Sequence, residues 1–285
     1  MQKIGKDIHS KPLWENLSQN YVDVLDNPYH KHRLEVIIDL IPEELFLKGS
    51  RIIDFGCGDG VLFPVFLEKG VDIFGIDISE NMIELGKKRL SQMNLPTNNL
   101  IVAGVNYFKN FESNSLDGIL SFNTLAYLTD EEEKVFYTEA QRTIKPNGFL
   151  AVSHSNELFD LYTFNRYTVE FFKKNLIEGA AEIEKIKELL THSEEPTTYA
   201  TYNVRENPLA YKTKLQEYGF AEIKQHFSNM HSVPPLLSNL NNADTTFKHI
   251  YEKEYPSTLN VAVKDRWKLM LKCSTYMSLS QKKDK

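Results

Sequence analysis

Short apolar runs alternate with longer amphipathic segments from Arg51 to about Ser155, the pattern of parallel strands joined by crossover helices. RIIDF reads as a first strand and VLFPVFLEK as the helix after it, with Pro64 in the first turn, where its missing N–H costs little. VDIFGID is a second strand, followed by a helix, SENMIELGKKRLSQM, with Ser79 as its N-cap. NLIVAG and LDGILSFN are the third and fourth strands. Thr129 or Asp130 caps the helix EEEKVFYTEAQRTI, KPNG turns the chain, and GFLAVSHS is the fifth strand. The strands are apolar throughout, as expected of a parallel sheet covered on both faces.

Outside this stretch the pattern loosens. Residues 156–206, rich in aromatic and charged side chains, read as an insertion or cap over a ligand crevice. PLAYKTKLQEYG, FAEIKQHF, KDRWKLMLKC and STYMSLSQ then read as helix, strand, helix and strand, so that 207–285 complete the sheet. Before Arg51, KHRLEVIIDLIPEEL has helical spacing, and 1–50 form an N-terminal helical flap. The predicted fold is α/β: a doubly wound, seven-stranded, Rossmann-like sheet with helices on both faces, its core at 51–155.

Composition narrows the partners. Of 285 residues, 41% are hydrophobic, enough to bury roughly three quarters of the unfolded surface. Lys and Arg number 33 against 39 Asp and Glu, a net charge of -6 that argues against a nucleic-acid partner. Two cysteines make no disulfide framework, and no apolar run approaches the roughly 18 residues of a membrane span. A soluble cytoplasmic protein, monomeric or homodimeric, acting on a small molecule is expected.

The candidate chemistry centres on Ile52–Gly60, IIDFGCGDG: a strand, an acid, then glycines at Gly56, Gly58 and Gly60. Such a turn lets a ligand lie against backbone amides. Asp77 closes the second strand, where a carboxylate accepts from both hydroxyls of a ribose. The spacing departs from the G-x-G-x-x-G of dinucleotide sites. Asp54 beside the turn opposes a diphosphate and suits a cationic ligand such as S-adenosylmethionine, which carries a sulfonium and an ammonium.

Asp54–Gly60, Asp77 in FGIDIS, the helix starting ENMIELGKK, LDGILSFNTLAYL and KPNGFLAVS together resemble a class I S-adenosylmethionine-dependent methyltransferase. The resemblance implies that Asp54, Gly56, Cys57, Gly58 and Gly60 cradle the methionine portion, that Asp77 holds the ribose, and that Ile78 and Met82 flank the adenine. It implies that Ser121 or Phe122 offers a backbone carbonyl to the ammonium, and that S-adenosylhomocysteine is the product. The family commonly places Asp after Gly at the end of strand three, whereas Gly104 is followed by Val105 and Asn106. Either Asn106 or backbone groups alone meet the adenine amino group.

Strand ends also deliver candidates for the transfer step. Asn123 and Thr124 leave strand four, and His154 on strand five is the first candidate for a general base, because imidazole titrates near neutrality. Asn156, Tyr162, Asn165 and Arg166 cluster at the start of the insertion, Arg166 as a clamp for a substrate anion. Tyr21, His30 and Arg33 belong to the N-terminal flap, Tyr21 toward the cofactor and the others toward the substrate, and His231 lies in a loop near the pocket. No metal is expected, because the end of strand four lacks the acids of catechol-type enzymes; separately, Ser121–Thr124 does not match the Pro-Pro signature of enzymes that methylate DNA bases, which sets that acceptor aside. The acceptor expected is a sugar or glycan-precursor hydroxyl, since the region from HSNELFD to QEYGF resembles bacterial surface-glycan methyltransferases. An NAD-dependent oxidoreductase and a non-catalytic cofactor-binding subunit are the alternatives.

Overall fold

A computed structural model of the chain describes residues 10–12, 14–16, 18, 28–164, 166–176, 205–232, 234 and 257–283. Helix α1 spans Pro28–Leu40 and leads into β1, Arg51–Phe55. Helix α2 (Phe63–Glu68), β2 (Asp72–Asp77), α3 (Glu80–Gln92), β3 (Leu100–Val102) and β4 (Leu116–Ser121) follow. Then come α4 (Asp130–Thr143), β5 (Ile144–Asn156), α5 (Asp160–Thr163), α6 (Arg166–Asn175) and β6 (Arg205–Glu206). Helix α7 (Pro208–Glu217), β7 (Phe220–Met230), α8 (Trp267–Lys272) and β8 (Cys273–Lys282) complete the described elements.

The strands form one sheet in the order β3-β2-β1-β4-β5-β8-β7. All neighbours from β3 to β5 are parallel, and β8 runs antiparallel between β5 and β7. This is the expected seven-strand path, with one addition. The two-residue β6 pairs in parallel with Ser155 and Asn156, so the end of the predicted insertion belongs to the sheet.

Alternation along each strand divides the core between two faces. Ile52, Leu120 and Ala151 pack on one side with Val36 and Leu40 of α1, Phe63 and Phe66 of α2, and Ile83 and Leu90 of α3. Ile53, Ile119, Leu150 and Val152 pack on the other with Phe136 and Tyr137 of α4 and Tyr211 and Leu215 of α7.

Local signals account for the helix ends. The Ser79 side chain accepts from Met82 N, and Pro64 sits in the first turn of α2. Thr129, not Asp130, caps α4, in a capping box with Glu132. The KPNG turn falls inside the span of β5. Pairing with β4 jumps from Leu116↔Ile144 to Gly118↔Phe149, so Lys145–Gly148 bulge out of the ladder, with Asn147 at φ 61°.

Candidate functional site

The chain builds outward from β1 to β2 and β3, then returns to place β4 on the other side of β1. A crevice opens beyond the carboxyl ends of strands at such a switch point. The cleft found there is lined by the glycine turn after β1, by Asp77 and Ile78 after β2, by Ala103–Val105 after β3, and by Phe122–Thr124 after β4. Arg33 and Ile37, one turn apart on α1, and Ser10 and Trp14 from the N-terminal segment close its remaining sides.

The turn is held from two directions. Gly56 N and Cys57 N both donate to Ile76 O on β2, at 2.7 and 3.2 Å. From the β4 side, Thr124 Oγ1 donates to Gly56 O at 3.4 Å and to Phe122 O at 3.2 Å. A side chain on Gly56 would collide with Thr124, whereas beside Gly58 the nearest atom to an added Cβ is Met82 Cε at 3.8 Å. Gly60 lies outside the cleft lining; a Cβ there would meet Leu100 and Phe63 in the core.

Three acidic side chains gather in this cradle. Asp77 Oδ2 accepts from Gly58 N and Oδ1 from Ser79 N, both at 2.9 Å. Burial raises its pKa against those hydrogen bonds. Asp59 is paired with Arg89 at 2.7 Å. Asp54 is 3% exposed, and burial, with the charges of Asp77 and Asp59, pushes its pKa up to about 8. Burial likewise pushes the Cys57 thiol well up, which keeps it un-ionised and inert.

This donor set fits S-adenosylmethionine. A cationic ligand relieves the carboxylate repulsion that a diphosphate would worsen, Asp77 can exchange its backbone donors for ribose hydroxyls, and Ile78, Met82 and Val105 offer apolar walls. Asn106 is exposed and lies outside the lining, whereas Gly104 and Val105 belong to it. Phe122 lines the cleft, whereas Ser121 is fully buried in the sheet behind it. Asp77→Ala is expected to weaken S-adenosylhomocysteine binding roughly 100-fold by calorimetry, the worth of two hydrogen bonds to a charged group; unchanged affinity would refute the ribose assignment.

The other candidates divide sharply. Asn123 lines the cleft in a left-handed conformation, φ 57°, pinned by Ser153 Oγ, which accepts from Asn123 N at 2.8 Å and donates to Asn123 Oδ1 at 3.2 Å. Arg33 is also in the lining and 8% exposed. His154 is not: β5 directs it away from the cleft, 3% exposed, edge-on to Tyr211 at 4.6 Å and stacked near Tyr276. A general base must reach the reacting proton, and this imidazole is packed in the aromatic core. His154→Phe is therefore expected to keep kcat within about twofold, with the loss confined to about 1 kcal/mol of stability, read from turnover and chemical denaturation.

Asn156 is fully buried and occupied in structure: Nδ2 donates to Met270 O and Cys273 O at 2.7 and 2.8 Å, and Oδ1 accepts from Leu158 N. The Tyr162 hydroxyl donates to Ser232 O at 3.0 Å. His231 packs against Phe159 at 4.7 Å, and burial lowers its pKa to about 4. Neither belongs to the cleft lining. His30, half-buried one turn before Arg33, is also outside it, its pKa lowered to about 4 by burial and by the Arg33 charge. Tyr21, Asn165 and the Arg166 side chain lie outside the described residues.

Trp14, Tyr127, Leu128 and Glu132 line the cleft without having been anticipated from the sequence. Tyr127 and Leu128 follow β4 directly, a position from which they could have been found. Trp14 comes from far along the chain and carries no local signal. Among the described residues, no group of three or more His, Cys, Asp or Glu is placed to hold a metal ion, and no helix is long and apolar enough to cross a membrane.

Residues 52–148 match the family described as a methyltransferase domain. A ubiquinone biosynthesis O-methyltransferase of Coxiella burnetii (strain Dugway 5J108-111) is 25% identical over 185 residues, covering 62% of this chain and 74% of its own. A SAM dependent methyltransferase from Archaeoglobus fulgidus superposes with a TM-score of 0.53 at 18% identity, covering 88% of this chain and 92% of the other. Magnesium protoporphyrin IX methyltransferase from Synechocystis PCC 6803, solved with bound SAH, gives 0.58 at 12% identity, covering 95% and 97%. At such identities the structural likenesses establish the fold, and the family match with the named relatives adds the activity. Residues 52–148 form a methyltransferase domain, and the enzyme is an S-adenosylmethionine-dependent methyltransferase.

Proposed function

We propose that this enzyme methylates a hydroxyl oxygen of a small molecule, without a metal. The observation that carries the reading is the cluster of buried carboxylates around the glycine turn, at the sheet's switch point and open to a cleft with aromatic walls. The names of the relatives, O-methyltransferases, favour oxygen as the acceptor atom.

Bound S-adenosylmethionine supplies a methyl group on a positively charged sulfur, which an electron-rich atom can attack in line. The chain's part is to bind, align and exclude water. Asp77 takes the ribose and Asp54 faces the cationic tail. Arg33, a cation in the lining, takes the carboxylate of the methionine tail, a role in place of the substrate contact expected from the sequence. On the β4 side, Trp14, Phe122 and Tyr127 shield the acceptor, Asn123 orients its hydroxyl, and the Glu132 carboxylate receives the proton.

A glycan-precursor hydroxyl is one acceptor this wall can receive. The insertion from which that substrate was inferred lies largely outside the described residues. The test is direct. Purified protein is titrated with S-adenosylhomocysteine and with NAD, then incubated with S-adenosylmethionine and a panel of phenols, sugars and amines. Mass spectrometry should show one added CH2 on a hydroxyl compound. Methylation confined to amines would overturn the choice of oxygen, and NAD binding without S-adenosylhomocysteine binding would overturn the whole reading.

A further inference from the structure

Trp14 and Glu15 are neighbours in the chain, yet they hold opposite sides of the cleft. Glu15 Oε1 accepts from Glu80 N at 2.9 Å, and Oε2 accepts from Ser79 Oγ and Asn81 N, each at 3.3 Å. Asn81 Nδ2 donates back to Glu15 O at 3.0 Å, and Lys11 lies 3.8 Å from Glu80. All of these partners belong to the N-cap and first turn of α3, directly after Asp77 and Ile78. Its first N–H groups lack helical partners, and a carboxylate both satisfies them and complements the helix dipole.

Trp14 reaches the other side. Its ring stands edge-on to Tyr127, centroids 5.1 Å apart, on the turn that follows β4. Because β2 and β4 flank β1, a segment fixed to both crosses the mouth of the cleft above the glycine turn. Ser10, Trp14 and Tyr127 all face that cleft.

We propose that Glu15 is a positioning residue, latching the N-terminal segment onto α3 so that Trp14 roofs the cleft and gates the passage of cofactor. The proposal rests on the cleft being the S-adenosylmethionine site. The latch consists of protein atoms alone, and Glu15, Ser79, Glu80 and Asn81 all lie outside the cleft lining. Releasing it therefore speeds uptake and release together and leaves affinity nearly unchanged, whereas a residue that merely supported the site would weaken affinity.

The experiment is surface plasmon resonance of S-adenosylhomocysteine on immobilised full-length protein, comparing Glu15→Ala, Glu15→Gln and Trp14→Ala with the parent. Glu15→Ala should raise both rate constants about tenfold, the ordinary worth of a helix cap, with Kd held within about threefold. Glu15→Gln, which keeps one acceptor oxygen, should fall between, and Trp14→Ala should also exchange faster. Unchanged rates in Glu15→Ala, or slower association with a weakened Kd, would overturn the latch. Failure of the parent to bind would instead overturn the cofactor assignment, and the latch with it.

Discussion

Gly56→Ala is expected to lose measurable cofactor binding and at least about 3 kcal/mol of folding stability. Two independent costs meet at this position. Its φ of +75° is in the left-handed region, where a side chain adds about 1–2 kcal/mol of strain. The added Cβ would also stand 2.0 Å from Thr124 Oγ1, 2.4 Å from its Cγ2 and 2.6 Å from its Cβ, far inside contact distance. Thr124 cannot yield without giving up its bonds to Gly56 O and Phe122 O, which tie the turn after β1 to the end of β4. Because Thr124 Cβ is itself too close, Thr124→Ala would not relieve the clash, but Thr124→Gly would. Chemical denaturation should therefore show the double variant Gly56→Ala, Thr124→Gly recovering part of the stability, with the strain remaining. A Gly56→Ala protein of parental stability that binds S-adenosylhomocysteine normally would contradict this account of the turn.

Asp54 should make cofactor affinity rise with pH, by up to about tenfold per unit between pH 5.5 and 7.5. Its carboxyl is held by burial, and then by Asp77 and Asp59, at a pKa of about 8, against an ordinary value of 3.8. Between those limits the folded, ligand-free protein keeps a proton that the unfolded chain has lost. The group's stability contribution is therefore greatest below pH 4 and falls as pH rises toward 8, by up to about 1.4 kcal/mol per unit. A cation seated beside Asp54 favours the carboxylate and expels that proton, so binding is stronger where the proton is already scarce. Calorimetry in buffers of different ionisation enthalpy should register the release of close to one proton near pH 6.5. Asp54→Asn should bind roughly 10- to 100-fold more weakly, abolish the pH dependence and raise the ligand-free melting temperature at pH 7.5. Affinity independent of pH in the parent protein would show that Asp54 does not face the positive charge.

How much of this could be read in advance depends on the range of the forces involved. Ser79, Pro64 and the Thr129–Glu132 box act within one helical turn, so the boundaries of α2, α3 and α4 were close to readable. The positions of Asp54, Gly56, Gly58 and Asp77 were readable too, because a tight strand-to-helix turn and the next strand end require those residue types at that spacing. His154 shows where such reasoning stops. Its strand was correctly placed, but a strand alternates faces with each residue, and only the registry with Tyr276 on β8 and the packing of Tyr211 from α7 sends that side chain into the core. Asn156 misled in the same way, its polarity serving the carbonyls of Met270 and Cys273, more than a hundred residues away.

The sequence by itself determined the order of strands and helices between Arg51 and Ser155, the acid-and-glycine turn and the cationic character of its ligand. These follow from backbone geometry and charge within a few residues of one another. Only the tertiary structure decided which side chains meet in the cleft: Trp14 across from Tyr127, Glu15 on the first turn of α3, Arg33 rather than His30 in the lining. It also raised the Asp54 pKa, since that takes burial and two further carboxylates brought in by the loop and by β2. The physical reason is that proximity between distant segments comes from packing the whole sheet and its helices, a sum of many weak contacts that no local pattern encodes.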